Sequence, residues 1–272
     1  MYAAPMVLLI LINAISIFGY ATFVLHPDLL AQYPWSIPIF SVSFKVFAQL
    51  QIIIAFILFA FRCSKDLNRK WLYCLATAIG ISFIMEYCGT VYGLPFGKYM
   101  YTSLLGAKIA GQVPVLIPLS WFFMSLPSYM IADQILGASR FRFSRVILGS
   151  ILLLTWDLTL DPAMSGLTAF WVWENPGQFP LMMPAGNLLG WFITGILILG
   201  LYEFIGIKIP QKWQKNQFPL KFYAANLLLP LGLSIAGQLW FSIVATMLVF
   251  LFCAWVSFFT GGSRNFLRSG GV

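Results

Sequence analysis

The stretch VILGSILLLTWDLTLD, residues 146–161, places two carboxylates in a segment otherwise apolar enough for a bilayer interior. An acidic side chain in hydrocarbon is costly unless it faces a polar interior, finds a partner or takes up a proton. Asp157 and Asp161 stand one helical turn apart, so they share a face. A second apolar stretch, ATAIGISFIMEYCGTVYG over residues 76–93, carries Glu86 in the same way. The chain has only eight acidic residues, so three at similar depth indicate a site rather than a wetted surface.

The rest of the chain has the composition of a membrane protein. Of 272 residues, 60% are hydrophobic and 9% charged, far from an ordinary soluble domain. A helix needs about 20 residues to cross the hydrocarbon. Segments meeting this need fall near 5–25, 39–61, 71–92, 112–135, 144–162, 184–206, 220–236 and 238–259. The last two are the weakest, because they require a tight turn near Ser234–Gln238. The expected fold is therefore all-α: one polytopic domain over 1–272 with about eight transmembrane helices and a catalytic core over 70–205.

The net charge of +8 is a topology signal. Arg62, Lys65, Arg69 and Lys70 fill one connection, Arg140, Arg142 and Arg145 another, and Lys208, Lys212, Lys215 and Lys221 a third. With Arg264 and Arg268, thirteen of the sixteen basic residues fall on one side of an eight-span chain. Both termini are then expected in the cytoplasm of a multi-pass cell-membrane protein. Seven spans would put the C-terminal arginines outside. Binding of anionic lipid by these tracts is the plain alternative use of the charge. No basic groove or aromatic-interleaved module points to nucleic acid.

Other chemistries find little support. Cys63, Cys74, Cys88 and Cys253 lack metal-ligand or redox-pair spacing, and His26 is the single histidine. A carboxylate-only divalent site is a minor alternative. No Rossmann, Walker or HExxH motif is present, and no cofactor or metal is expected. The N-terminal segment lacks a positive leader and a small-residue cleavage site, so it reads as a retained helix.

Glycine and proline cluster in two connections expected on the outer side. With flanks these are GLPFGKYMYTSLLGAKIAGQVP, residues 93–114, and PAMSGLTAFWVWENPGQFPLMMP, residues 162–184, with prolines at 162, 176, 180 and 184. Both are too apolar for wet loops and are expected to be partly helical, lying at the interface or folding back as lids.

Counting from the cytoplasmic ends, Glu86 is about 15 residues into its helix and Asp157 about 13, at matching depth for about 1.5 Å rise per residue. Asn187 enters from the outer side nearby. Two readings compete. In the structural one, these groups tie helices together by hydrogen bonds, and Asp161 caps a helix before Pro162. In the chemical one, neighbouring carboxyls in a dry setting retain a proton between them, one serving as general acid while another stays a base. Tyr87, Tyr92, Tyr99, Tyr101, Trp121, Trp156 and Trp173 surround the same stretches, and their π-faces suit a developing cation. Packing and interfacial anchoring are the ordinary uses of such aromatics. Asp133 and Glu203 are expected to meet the basic connections, and Glu174 to be solvated.

The motifs also carry a resemblance. Glu86-Tyr87-Cys88-Gly89-Thr90-Val91-Tyr92-Gly93-Leu94-Pro95-Phe96-Gly97, followed by Tyr99-Met100-Tyr101-Thr102, resembles the signature of the integral-membrane carotenoid biosynthesis family. Gly111-Gln112-Val113-Pro114, Ile117-Pro118, Trp121, Asp157-Leu158-Thr159-Leu160-Asp161-Pro162, Trp171-Val172-Trp173 and Asn187-Leu188-Leu189-Gly190-Trp191-Phe192 extend it over roughly 70–245. The family includes carotenoid hydratases of the lycopene, γ-carotene and bisanhydrobacterioruberin type. The resemblance implies cofactor-independent addition of water to the terminal C=C of an acyclic carotenoid drawn from the bilayer. Glu86, Asp157 and Asp161 would supply acid, base and cation stabilisation, with individual roles unassigned. Tyr92, Tyr99, Tyr101, Trp121, Trp156 and Asn187 would hold the end group and the water, and other carotenoid pathway enzymes are conceivable partners. A carotenoid isomerase or cyclase-like enzyme, and a non-catalytic carotenoid or lipid transport protein, are the competing functions.

Overall fold

The computed structural model describes residues 3–137, 142–177 and 182–260. Arg140, Pro180, Arg264 and Arg268, used above, lie outside the described residues. The chain is a helical multi-pass membrane protein. The helices are α1 (Ala3–Gly19), α2 (Pro27–Gln32), α3 (Ser36–Asp66), α4 (Lys70–Tyr92), α5 (Leu116–Leu136), α6 (Arg142–Asp161), α7 (Ala185–Ile205), α8 (Gln211–Asn216), α9 (Phe218–Ala236) and α10 (Trp240–Phe259). Four short strands accompany them: β1 (Tyr99–Tyr101), β2 (Lys108–Ile109), β3 (Val113–Pro114) and β4 (Trp171–Trp173).

Among the described residues, seven helical segments are long and apolar enough to cross a membrane. They match seven of the expected spans. The eighth long helix, α5, is outside this set because three serines, two prolines and Asp133 dilute its hydropathy. It occupies the middle of the bundle, packed by α3, α4, α6, α7, α9 and α10. Nearly every residue from Ile117 to Ala132 is buried. A helix walled by protein needs no lipid-facing apolar surface, so its sequence is free to be more polar.

Two local departures shape the site. Pro162 has no N–H to continue the α6 ladder, and a π-helical segment, Pro162–Leu167, extends the helix there. A second π-helical segment, Tyr20–Val24, follows α1. The connection 162–184 is partly helical, through the π-helical segment Pro162–Leu167, while the connection 93–114 is built of turns and short strands, and each contributes one strand to a ribbon. These strands pair antiparallel, β1 with β4, in the register Tyr99 to Trp173 and Tyr101 to Trp171. Alternation along each strand buries Tyr99, Tyr101, Trp171 and Trp173 and exposes Met100 and Val172. This two-strand ribbon closes one end of the bundle.

The opposite end is polar. Arg145 pairs with Asp133 at 2.6 Å and Glu203 at 3.0 Å, as expected for carboxylates facing a basic connection. Asp66 pairs with Arg62 at 3.1 Å and with Lys212, and accepts from the Trp213 indole at 2.6 Å. At the ribbon end Glu174 meets Lys98 at 3.2 Å, both half exposed.

Close approach of α6 and α7 depends on small residues. A Cβ on Gly195 would lie 3.0 Å from the Ser150 hydroxyl and 3.3 Å from its Cα. Gly195→Leu is expected to force these helices apart at a cost of about 2 kcal/mol. A lower melting temperature in detergent, set against an exposed-face variant such as Leu197→Ala, would show it.

A carboxylate cavity under an aromatic ribbon

The site is built from the inner ends of α4, α5, α6 and α7 beneath the ribbon. Its three carboxyls are Glu86 on α4 and Asp157 and Asp161 on α6, all buried. They border one cavity of about 60 Å³, which Gln51, Trp121, Trp156, Trp191 and Asn226 also line. That volume admits a few waters, each needing about 10–15 Å³ by this measure.

Each carboxyl is held by neutral donors. Glu86 Oε2 accepts from the Tyr99 hydroxyl and, at 2.8 Å, from the Tyr101 hydroxyl; its Oε1 accepts from the Trp121 indole at 2.8 Å. Asp161 Oδ1 accepts from the indoles of Trp171 at 3.0 Å and Trp173 at 3.1 Å, and from Ser165 at 2.9 Å. The Asn187 amide nitrogen donates to Asp161 Oδ2 at 2.7 Å and to Asp157 Oδ2 at 2.9 Å. Its two N–H groups thus bridge the pair on α6. Asp157 Oδ1 is buried, and among the described residues no donor reaches it. Among the described residues, the ion pairs of the chain involve other carboxylates than these three.

Local sequence explains the reach of these donors. Gly89 lies one turn beyond Glu86, and a Cβ there would sit 2.8 Å from the Tyr99 ring. Gly190 on α7 makes similar room for Phe96, whose ring a Cβ would approach to 2.4 Å. Phe96 is thereby wedged between α4 and α7, and the following strand drops Tyr99 onto the acid. Burial and the neighbouring Glu86 carboxyl push the Tyr99 and Tyr101 phenols well above their usual value. Both stay protonated donors.

The aromatic wall is a π-surface over the cavity. Trp121 stacks on Trp191 at 4.1 Å, and Trp156 meets Trp191 edge-on at 6.0 Å. Trp156 also donates to the Asn226 carbonyl at 3.4 Å, and Gln51 to the Asn226 side chain at 3.1 Å, closing the side toward α3 and α9. Among the described residues, no group of three or more His, Cys, Asp and Glu is arranged to hold a metal ion.

Of the residues singled out in the sequence, Glu86, Asp157, Asp161, Tyr99, Tyr101, Trp121, Trp156 and Asn187 all line the cavity. Tyr92 does not; it is 69% exposed at the end of α4. Six residues beyond Glu86 on a helix is a rotation of about 240°, which turns Tyr92 away. Gln51, Asn226 and Ser165 escaped the sequence reading, and Trp191 entered it only as part of a motif. Trp171 was quoted only within a motif, although the spacing Trp-x-Trp already signals two indoles on one strand face.

Fold and site together define a multi-pass helical membrane protein with a buried, aromatic-walled carboxylate cavity. The chain belongs to the carotenoid biosynthesis protein family, whose model matches residues 40–253. It is 31% identical over 125 residues to the bisanhydrobacterioruberin hydratase of Haloarcula japonica, a match covering 45% of this chain and 41% of that protein. The match therefore spans about two fifths of that relative's length. No solved structure matches the chain.

Phenols that are held neutral in the fold but ionise in the unfolded chain make stability fall as pH rises past about 10. Tyr99→Phe is expected to flatten that alkaline fall while costing about 1–3 kcal/mol near neutral pH, since Glu86 loses a buried donor. Thermal unfolding in detergent across pH would register both effects.

Proposed function

We propose that the protein is a cofactor-independent hydratase adding water to the terminal isoprenoid C=C of an acyclic carotenoid. The observation that carries this reading is the unequal saturation of the three carboxyls. Glu86 and Asp161 are surrounded by donors and suit the ionised, acceptor-only form. Asp157, which lines the cavity, has one donor among the described residues and an Oδ1 that none of them reaches, which suits the neutral acid. Family membership and the hydratase relative support the same class of reaction.

In this mechanism Asp157 donates its proton from Oδ1 to the less substituted alkene carbon. The π-electrons form the new C–H bond and leave a tertiary cation on the neighbouring carbon. The indole faces of Trp121, Trp156 and Trp191 and the charge of Glu86 and Asp161 stabilise that cation. A water in the cavity forms the C–O bond and passes a proton to the Asp161 carboxylate. Return of that proton to Asp157, beside it on the same helix face, resets the site. The sum is alkene plus water giving a tertiary alcohol, with no change in oxidation state. Water needs few ordered sites, and a 60 Å³ cavity matches that need.

The remaining placement follows the charge. The basic clusters around Asp66 and Glu203 sit at the end away from the cavity. Under the positive-inside rule that end is cytoplasmic, eight spans leave both termini there, and the carboxylates lie toward the outer leaflet. The core over 70–205 supplies the acids, while Gln51 of α3 and Asn226 of α9 complete the walls.

Co-expression with enzymes making an acyclic carotenoid is expected to give a product one water heavier, with its new oxygen drawn from isotopically heavy water and not from heavy O2. Label from O2, or a product of unchanged mass, would exclude hydration. Asp157→Asn is expected to lower conversion at least about 100-fold with the protein still in the membrane. Full activity in that variant would remove Asp157 as the acid.

A further inference from the structure

A second, larger cavity of about 410 Å³ lies between α1, α3, α9 and the π-helical segment after α6. Among the described residues its lining contains no charged side chain. It shares Ala48, Met164 and Leu229 with the carboxylate cavity, so these three form the partition between them. Both π-helical segments border it, through Tyr20 and Phe23 on one side and Met164 on the other.

Four phenylalanines line it as a ladder. Phe23 and Phe40 are 5.5 Å apart, Phe40 and Phe44 6.0 Å, and Phe44 and Phe170 5.4 Å between ring centroids. The ladder ends beside Trp171, whose indole holds Asp161. At the other extreme Trp35 and Ile39 are strongly exposed, opening the slot toward lipid.

We infer that this slot is the binding site for the conjugated shaft of the substrate. The polyene slides in from the bilayer between α1 and α3, and its end group passes the partition into the carboxylate cavity. A flat, rigid conjugated chain gains most from successive aromatic faces and loses little conformational freedom on binding. The partition suits a passage: Ala48 takes little room, and Met164 is an unbranched side chain with several rotamers. The inference takes the identity of the end group from the hydration reading, but the slot itself is tested by binding.

The test uses the full-length protein in detergent, with lycopene as the long probe and farnesol as a short isoprenoid ending in the same kind of alkene. Lycopene binding is read from the circular dichroism induced in its visible band. Ser43→Trp fills the slot and Ala48→Phe plugs the partition. Each is expected to weaken lycopene binding about tenfold or more; Ser43→Trp also raises the ratio of farnesol to lycopene hydration similarly, whereas Ala48→Phe stops hydration of both. Leu251→Trp, on the exposed face of α10, serves as the size-matched control and leaves binding unchanged. Phe40→Leu keeps apolar bulk but removes a rung, and is expected to weaken binding about threefold, which keeps the test decisive where a larger side chain prevents folding.

Unchanged lycopene affinity in folded slot variants overturns the inference, even if the wild type hydrates lycopene well. Displacement of lycopene by oleic acid at equal potency also overturns it, because the slot is then a generic acyl-chain site. Weakened binding in the slot variants with no alcohol formed by the wild type supports the slot and removes only the hydration reading.

Discussion

Burying three carboxyls in an apolar bundle with no ion pair among the described residues is the constraint on which the rest depends. A guanidinium or ammonium partner would neutralise each charge, but it would also occupy the space in which chemistry could happen. Here the work is done by indoles, phenols, one serine and one amide. These donors satisfy oxygen lone pairs while presenting apolar rings to the cavity. The result is a set of acids that is both retained in the fold and buried among apolar rings.

That solution dictates the architecture around it. Donors must arrive from several directions, so α4, α6 and α7 are held close at their ribbon ends. Gly89 and Gly190 leave the volume that Tyr99 and Phe96 fill. The π-helical extension of α6 keeps Ser165 over Asp161 and turns Met164 toward the apolar slot. The charged residues gather at the other end, where Arg145 binds Asp133 and Glu203 together.

Much of this is legible in sequence, for physical reasons. Long apolar segments reveal helices because length and composition suffice. An acid within such a segment reveals a site because hydrocarbon tolerates it poorly. The ribbon is not legible in that way. Strands of three residues carry almost no periodic signal, and β1 and β4 pair across about 70 intervening residues. Tyr92 was misplaced because adjacency in a motif says nothing of helical phase. Trp191, quoted in a motif, was given no role because an isolated tryptophan in an apolar helix reads as packing. Helix α5 shows the reverse effect: its central position lets it be polar enough to fall short of a lipid-facing span.

The order of the donors along the chain has its own consequence. Glu86 is satisfied by side chains 13, 15 and 35 positions later, and Asp161 by indoles 10 and 12 positions later and an amide 26 positions later. Asp157 waits for the same amide, 30 positions on. Every acid is therefore translated before the groups that shelter it. During synthesis α4 emerges before the Trp121 of α5 that completes the shelter of Glu86, and α6 emerges before the Asn187 of α7 that bridges Asp157 and Asp161.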